Sequence, residues 1–358
     1  MWKIVYPYIF ISSFVLSMLF VNSFRKIALA LNVVDLPQSG RKDHKHGIPL
    51  MGGMAIYCAF FCSIIIHLIA LYAVYRAGRL PADIGIHLNG IKTILPELSA
   101  IFLTATIIMV VGFFDDLKNL SASLKLFIEV ILASIVYFYG VRITFFMTMP
   151  FLSWLITVIW IVGITNSFNL LDNMDGLSSG IAFIAAGIFF LTALGGGHYF
   201  AGTIIACFGG VLLGFLYYNF PPAKVFMGDS GSLLIGYLLS ILTIINTYYT
   251  DIYPTAAPVI MPLLIMAVPI FDTLSVIYIR LKRKTSVFEA DKNHISHRLI
   301  RMGFSKVKTL MFLYITSLCI GIGALLLRSL NPLGCGIVLI QSICILALML
   351  LIERNNKK

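Results

Sequence analysis

Residues 98–114 read LSAIFLTATIIMVVGFF and are followed directly by the adjacent acids Asp115 and Asp116. This uncharged run approaches the ~20 residues that an α-helix needs to cross ~30 Å of hydrocarbon. Because lipid offers the backbone no hydrogen bonds, a segment that crosses it must be a helix or part of a closed barrel. The stretch therefore predicts a transmembrane helix that carries two carboxylates at its end.

The composition extends this prediction to the whole chain. Of its 358 residues, 59% are hydrophobic and 11% are charged, whereas soluble domains contain roughly 25% charged residues. We therefore exclude a soluble globular protein and predict an all-α polytopic membrane protein in which residues 1–358 form a single membrane-embedded domain. About eleven transmembrane helices are expected, at residues 4–24, 48–75, 97–114, 124–141, 150–168, 176–194, 199–220, 230–249, 256–280, 306–327 and 332–352.

The distribution of basic residues predicts the orientation in the membrane. With the N-terminus outside, the outer segments hold six of the 26 Lys and Arg residues and the inner segments hold the other 20. The positive-inside rule therefore places the N-terminus outside and the C-terminus in the cytoplasm. In such a protein, a net charge of +11 indicates topology and anionic lipids or substrates, and not a nucleic acid partner.

The scarce carboxylates gather on the predicted cytoplasmic side. Asp115 and Asp116 end the third span, Asp172 and Asp175 lie between the fifth and sixth spans, and Asp229 precedes the eighth. Acids at the mouths of membrane segments are costly and tend to mark ion or substrate sites. These positions therefore predict a site on that face, with a solvated helix end or a plain turn as the alternative for each pair.

Two further blocks bring amides and glycines beside these acids. Asn169 precedes Asp172 and Asp175 at three-residue steps, which places the three polar groups on one helix face or turn. The stretch from 218 to 232 reads YNFPPAKVFMGDSGS. Its glycines would let backbone amides approach a ligand, and the following helix would offer its N-terminus to an anion. Alternatively, Asp229 is the N-cap of that helix, and both interpretations can hold together.

Residues 291–298 read DKNHISHR and form a basic block after the ninth span. His294 is followed by His297 and Arg298 at helical spacing, a face that suits a diphosphate. A zinc site would need further ligands close by, and a solvated basic loop is the other alternative. Within the spans, Asp272 and Glu129 are functional candidates or structural acids bonded between helices, and Lys125 is the expected partner of Glu129.

Taken in order, these blocks resemble the polyprenyl-phosphate N-acetylhexosamine-1-phosphate transferases, the family of MraY and WecA. The similar blocks are the Arg41-Lys42 and Pro49-Leu-Met-Gly-Gly53 entry to the second span, Gly112-x-x-Asp-Asp116, Asn169-x-x-Asp-x-x-Asp175-Gly, Phe226-Met-Gly-Asp229-x-Gly-Ser and the final histidine loop. Phe271-Asp-Thr273 and the histidine loop look more like the WecA branch. The sequence departs from that branch at Ser296, where a histidine is typical.

The resemblance implies a reaction, a cofactor and a location. Undecaprenyl phosphate would attack a UDP-N-acetylhexosamine, most commonly the N-acetylglucosamine donor, releasing UMP and giving a lipid diphospho-sugar for cell-envelope glycan synthesis. It also implies a requirement for Mg²⁺ (or Mn²⁺) and a multi-pass protein of the plasma membrane with its active face in the cytoplasm. The alternatives are an MraY-like transferase for a peptidoglycan precursor and a transporter of an anionic substrate.

For this reaction we expect Asp229, Asp115 and Asp116 to hold the metal ion and, with His294, to form the catalytic set. Asp115 is alternatively a base or a nucleophile. Asn169, Asp172 and Asp175 are expected to hold the nucleotide-sugar, and His297 and Arg298, with His294, its phosphates. The remaining expected substrate-binding residues are Asn219, together with Lys118, Lys125 and the basic segment 41–46 for the lipid phosphate.

The predicted topology is testable by cysteine labelling. In a variant depleted of native cysteines, Ser39→Cys and Ser286→Cys should be protected from an impermeant reagent applied to intact cells, because both positions lie on the cytoplasmic side of the predicted fold. Ser329→Cys, in a predicted outer loop, should be labelled and serves as the control. Labelling of either cytoplasmic position from outside would contradict the topology.

Overall fold

The computed structural model describes residues 2–35, 47–85, 88–144, 149–246, 254–286 and 293–355. These residues are almost entirely helical, apart from a short antiparallel pairing of β1 (Val34–Asp35) with β2 (Ile48–Pro49). The helices are α1 (Trp2–Ala30), α2 (Gly52–Arg76), α3 (Ala82–Gly85), α4 (Leu88–Lys118), α5 (Ala122–Phe138), α6 (Pro150–Leu171), α7 (Leu177–Gly195), α8 (Tyr199–Asn219), α9 (Gly228–Ile245), α10 (Met261–Ile265), α11 (Ala267–Lys282), α12 (Ile295–Arg301), α13 (Lys306–Leu326) and α14 (Pro332–Asn355).

The predicted fold class, an all-α polytopic membrane protein, is confirmed. Within the described residues, nine helices are long and apolar enough to cross a membrane, namely α1, α2, α4, α6, α7, α8, α9, α13 and α14. A tenth span is broken: a 3-10 turn at Ala257–Ile260 with α10 forms its first part, and α11 continues it after a bend of 67°. The remaining predicted span, at residues 124–141, corresponds to α5, which at 17 residues is about 25 Å long.

The break in the tenth span has a local cause in the sequence. Pro269 lies in the first turn of α11 and has no backbone N–H to donate to the carbonyl of Ile265, the last residue of α10. The chain therefore changes direction at Met266. The bend leaves the start of α11 buried and carries Asp272 toward the end of the bundle at which α12 lies.

Helix α9 is the centre of the bundle. It packs against α2, α4, α6 and α7, and 78% of its apolar window is buried, compared with 22% for the peripheral α14. Because lipid solvates apolar side chains as well as the protein interior does, tight helix packing in a membrane depends on small residues that let backbones approach. The sequence supplies such residues at the two contacts described next.

Helix α1 lies against α8 through a small-residue face. A Cβ on Gly210 would come within 2.3 Å of the Phe10 carbonyl oxygen, and one on Gly214 within 2.7 Å of the Ser17 Cβ. The hydroxyl of Ser17 also donates to the Val211 carbonyl at 2.8 Å. The four-residue spacing of the two glycines is the pattern typical of close membrane helix pairs.

The N-terminus of α9 is held by a similar contact, and this contact positions the functional end of the protein. A Cβ on Gly112 of α4 would lie 2.5 Å from the Ser230 Cα, and one on Gly53 of α2 would lie 2.2 Å from the Gly231 nitrogen. The Gly53 amide also donates to the Met227 carbonyl at 3.0 Å. Only glycine allows this approach, so the glycines before Asp115 and after Pro49 seat the start of α9.

Candidate active site

The acids that the sequence places on three separate blocks come together at one end of the bundle. Asp115 and Asp116 end α4, Asp229 lies in the first turn of α9, and Asp172 follows the last residue of α6. Hydrogen bonds connect α9 to both neighbouring helices, from Asp229 to Asp116 and from Asn169 to Asp229. The predicted clustering of these acids on one face of the protein is therefore present in the structure.

Asp116 serves as the cap of α9. One of its carboxylate oxygens accepts the Asp229 amide at 2.7 Å and the other accepts the Ser230 amide at 3.2 Å. Gly228 makes room, because it has φ of 69° and a Cβ there would lie 2.5 Å from the Asp116 carboxylate. A carboxylate satisfies the free amides of a helix N-terminus and interacts favourably with its dipole. The anion expected at this terminus is thus the protein's own Asp116.

Asp115 is engaged with Lys125 of α5. The two side chains form a close ion pair, and the second Asp115 oxygen accepts the Leu120 amide at 2.7 Å. The Lys125 ammonium is also 3.8 Å from the nearer Asp229 oxygen. The side chain of Asp115 is 4% exposed, whereas that of Asp229 is 37% exposed. Asp229 is therefore the accessible carboxylate of this trio.

Asp229, Asp115 and Asp116, which we expected to hold the metal ion, have different partners in the structure. Among the residues that the structure describes, no three His, Cys, Asp or Glu side chains are arranged to hold one metal ion. Asp116 is used by the backbone of α9 and Asp115 by Lys125. In the structure, Gly228 lies against the Asp116 carboxylate, and Gly231 lies against Gly53 and Met227.

Asn169 orients Asp229 from α6. Its amide nitrogen donates to Asp229 Oδ1 at 2.7 Å and to Ser232 Oγ at 3.0 Å. The other Asp229 oxygen is the one that lies nearest to Lys125. Asp229 is thus fixed between a neutral donor on one side and a cation on the other, and its carboxylate opens to the end of the bundle.

Asp172 brings a further carboxylate close to this group. Burial, together with the charges of Asp229, Asp116 and Asp175, raises the pKa of Asp172 well above its ordinary value. Like charges that raise one another's pKa are stabilised when a cation is bound between them. Among these acids, Asp172 and Asp229 are the two whose carboxylates accept no backbone amide in the hydrogen bonds of the described residues.

The residues after Asp172 form a tight connection to α7. The Asp175 carboxylate accepts the Ala223 amide at 3.2 Å. Asn219, which we expected in direct contact with substrate, is 3% exposed. Its side-chain Oδ1 accepts the Gly176 amide at 2.9 Å and the Ser179 hydroxyl at 3.0 Å, and its Nδ2 donates to the Val225 carbonyl at 3.0 Å. The structure places Asn219 behind this connection, where it joins two loops.

His294 is oriented by the intramembrane acid Asp272. Its Nδ1 lies 2.8 Å from Asp272 Oδ2, and the other carboxylate oxygen accepts the Ile295 amide at 2.7 Å. Both residues are buried, with Asp272 1% exposed. A carboxylate acceptor fixes the proton on Nδ1 and leaves Nε2 for another partner. Of the two roles left open for Asp272, the structure supports the bonded one, in the service of His294 and the start of α12.

The other members of the basic block are placed differently. His297 is half-buried, while Arg298 is 9% exposed and donates to the Ser275 hydroxyl at 2.8 Å. Lys118 is exposed, with its ammonium 5.8 Å above the Phe114 ring. One nitrogen of the Arg298 guanidinium is thus bound to α11. The basic segment 41–46 and Asp291 lie outside the described residues.

Several residues of this end were missed in the sequence. Asn166 of α6 donates to the buried Glu129 of α5, next to Lys125. Asn173 accepts the Ser296 hydroxyl, and Tyr314 of α13 donates to the Gly176 carbonyl. Asn166 carried a signal, since it is an amide within an apolar helix one turn before Asn169. The partners of Ser296 and Tyr314 lie more than a hundred residues away, and no local pattern indicates them.

Comparison with known proteins supports the resemblance. The family model described as glycosyl transferase family 4 matches residues 98–247. A probable undecaprenyl-phosphate N-acetylglucosaminyl 1-phosphate transferase of Bacillus subtilis is 35% identical over 329 residues, which cover 89% of this chain and 84% of that protein. A decaprenyl-phosphate N-acetylglucosaminephosphotransferase of Mycobacterium leprae is 29% identical over 346 residues, with 89% and 83% covered.

A relative from the other branch is also similar. A phospho-N-acetylmuramoyl-pentapeptide-transferase of Shouchella clausii is 30% identical over 299 residues, which cover 77% of this chain and 82% of that protein. The similarity to the Bacillus subtilis protein extends over more of the chain at a higher identity. The protein belongs to glycosyl transferase family 4, the polyprenyl-phosphate N-acetylhexosamine-1-phosphate transferases.

Proposed function

We propose that this membrane enzyme transfers N-acetylglucosamine 1-phosphate from UDP-N-acetylglucosamine to undecaprenyl phosphate, and releases UMP. The observation that carries the proposal is the accessible Asp229 carboxylate, held between Lys125 and Asn169 within a group of facing acids at one end of a helical membrane bundle. The names of the Bacillus subtilis and Mycobacterium leprae relatives support the same sugar phosphate and a polyprenyl phosphate acceptor.

The chemistry of this reaction asks mainly for charge neutralisation. The lipid acceptor is a phosphate monoester with a second pKa near ~6, so it is already largely a dianion at neutral pH. A strong base is therefore not needed, and catalysis depends on placing two anionic reactants in line and stabilising the charge of the leaving UMP. A side chain that fixes geometry contributes more here than one that removes a proton.

A divalent cation fits the residues present at this end. Mg²⁺ typically binds through one or two carboxylates together with phosphate oxygens of the substrate. Asp229 and Asp172 supply that donor set, since Asp229 is accessible and burial, together with the charges of the neighbouring acids, raises the pKa of Asp172. When bound, Mg²⁺ (or Mn²⁺) would neutralise charge on the donor diphosphate, which adds to the neutralisation by Lys125.

The protein's own residues divide the remaining tasks. Asp115 holds Lys125 beside Asp229, a position that favours a role in fixing this lysine over a role as base or nucleophile. His294, oriented by Asp272, presents Nε2 to a substrate phosphate, and His297 extends this contact.

Asp175 supports the loop that follows Asp172. Lys118 and the basic segment 41–46 are suited to receive the lipid phosphate at the membrane surface.

The charge distribution supports the location of the active end. The blocks that contribute the acids lie between spans whose connecting segments hold most of the Lys and Arg residues. By the positive-inside rule this end faces the cytoplasm of the plasma membrane, where a soluble UDP-sugar would reach it.

Transport of an anionic substrate is the non-enzymatic alternative, and it relied on Asp272 and Glu129 as intramembrane charges. In the structure, Asp272 contacts His294 and Glu129 contacts Asn166, so both acids belong to the supports of the site. An MraY-like transferase would use a different donor, and assays with a panel of UDP-sugars distinguish its reaction from the proposed one.

The proposed function is tested with purified protein, undecaprenyl phosphate and a panel of UDP-sugars. UMP and a lipid diphospho-sugar should form with UDP-N-acetylglucosamine, and UDP-N-acetylmuramoyl-pentapeptide should give no product. Reactions without the lipid acceptor serve as the control for donor hydrolysis. Absence of UMP with every donor, or turnover restricted to the pentapeptide donor, would reject the proposal.

The roles of two neighbouring acids should separate in mutants. Asp229→Asn should lower turnover by at least ~10²-fold, because about 3 kcal/mol of charge stabilisation is lost, with little change in Tm. Asp116→Asn, in contrast, should lower Tm, because it weakens a helix cap worth about 1 kcal/mol.

Chelation with EDTA should abolish activity, and Mg²⁺ should restore it. Full turnover in EDTA or in Asp229→Asn would show that the metal assignment is wrong.

The Asp272–His294 contact gives a further prediction. Because Asp272 acts on the reaction through His294, Asp272→Asn and His294→Ala should each lower kcat, and the double variant should lose little more than His294→Ala. Steady-state kinetics of the three variants measure this. Independent, multiplicative losses would indicate that Asp272 does not work through this histidine.

A further inference from the structure

The connection after α6 receives hydrogen bonds from side chains of three helices that are distant in the sequence. We name residues 172–176 the acidic loop, because it contains Asp172 and Asp175 and ends at Gly176. Gly176 has φ of 74°, and its amide donates to the side-chain Oδ1 of Asn219 at 2.9 Å. Asn219 therefore holds the loop from α8. Two other helices, α12 and α13, also contact it.

Helix α13 holds the acidic loop through Tyr314. The tyrosine hydroxyl donates to the Gly176 carbonyl at 2.5 Å. The ring lies over α7 at Gly180, where a Cβ would come within 1.7 Å of the hydroxyl oxygen. A glycine is thus required at position 180 for Tyr314 to reach the loop. Both backbone groups of Gly176 are consequently bound by side chains, the amide by Asn219 and the carbonyl by Tyr314.

Helix α12 holds the other part of the loop through Ser296. This side chain is fully buried and donates its hydroxyl to the side-chain Oδ1 of Asn173. The Asn173 nitrogen in turn donates to the Leu170 carbonyl at 2.8 Å, in the last turn of α6. Ser296 is the position at which the histidine loop departs from the related pattern. Its hydroxyl is directed to the acidic loop, while the neighbouring His294 contacts Asp272.

We infer that Ser296 and Tyr314 are positioning residues that hold the acidic loop from two sides and so fix Asp172 and Asp175 for the nucleotide-sugar and its cation. This inference rests on the proposed function for its substrate, but not for its geometry. The two bonds connect the histidine block and α13 to the acids, so the position of the loop depends on helices far apart in the sequence. Neither residue touches the reacting atoms.

Loss of either hydroxyl should weaken the donor site specifically. Ser296→Ala and Tyr314→Phe remove one hydrogen bond each without a change in ring or backbone, and the KM for the UDP-sugar should rise about threefold to tenfold. The KM for undecaprenyl phosphate should stay near the wild-type value. Asn173→Ala removes the acceptor of Ser296, and in that background Ser296→Ala should have no further effect on donor KM.

Matched controls are available in the contact between α1 and α8. Ser17→Ala and Tyr6→Phe each remove a buried hydroxyl that donates to a backbone carbonyl, that of Val211 and that of Tyr199. Both should leave the two KM values unchanged. A readout independent of activity is amide hydrogen exchange across residues 172–176, which should accelerate in Ser296→Ala and Tyr314→Phe and not in the controls.

The outcomes separate this inference from the proposed function. If wild-type protein releases no UMP, the proposed function fails, while faster exchange in the acidic loop still supports the positioning role. If wild-type protein is active but the variants keep wild-type donor KM and exchange, Ser296 and Tyr314 do not hold the loop. An equal rise in both KM values together with a lower Tm would show a general loss of structure and would also overturn the inference.

Discussion

The contact between the Asp116 carboxylate and the first amides of α9 is the interaction on which the site depends. Helix α9 is the buried centre of the bundle, so the free amides at its start need a partner. Asp116 satisfies two of them, and Gly112 and Gly53 let α4 and α2 come close enough for this. Because Asp229 contributes one of these two amides, the cap that stabilises the helix also determines where the accessible carboxylate lies.

The acids of this protein therefore have different tasks although they share one place. Asp116 binds backbone, and Asp115 binds Lys125. Asp229 and Asp172 remain, and the charge of Asp229 contributes to the raised pKa of Asp172 after the larger effect of burial. Such a group of like charges is unfavourable by itself, and one lysine compensates it only in part. In the proposed reaction, a divalent cation would compensate the remaining negative charge of the acids and of the substrate phosphates.

The supports of the site extend into the membrane part of the fold. Asp272 is placed by the proline-dependent bend between α10 and α11, and there it orients His294. Glu129 and Asn166 pair beside Lys125. Intramembrane polar groups of this kind are costly unless they are bonded. The partners of Asp272 and Glu129 are residues of the candidate site or their neighbours. These acids therefore help to position side chains of the site.

The sequence by itself determined the fold class, the spans and the blocks that would meet. Runs of apolar residues of the length of a bilayer require helices, and most of the scarce acids follow or precede such runs on the predicted cytoplasmic side. The order of these blocks was sufficient to indicate the family. The break at Pro269 was also predictable, since proline cannot continue the hydrogen bonding of the preceding turn.

Only the tertiary structure decided which acid does what. Asp115 and Asp116 are adjacent in sequence, yet one binds Lys125 and the other caps α9. Asn219 carried the same signal as Asn169 but lies behind the acidic loop. Ser296 and Tyr314 gave no signal for their contacts with that loop. The reason is that hydrogen-bond partners across helices depend on how the helices pack and rotate, and a one-dimensional pattern specifies which face is polar but not which atom it meets.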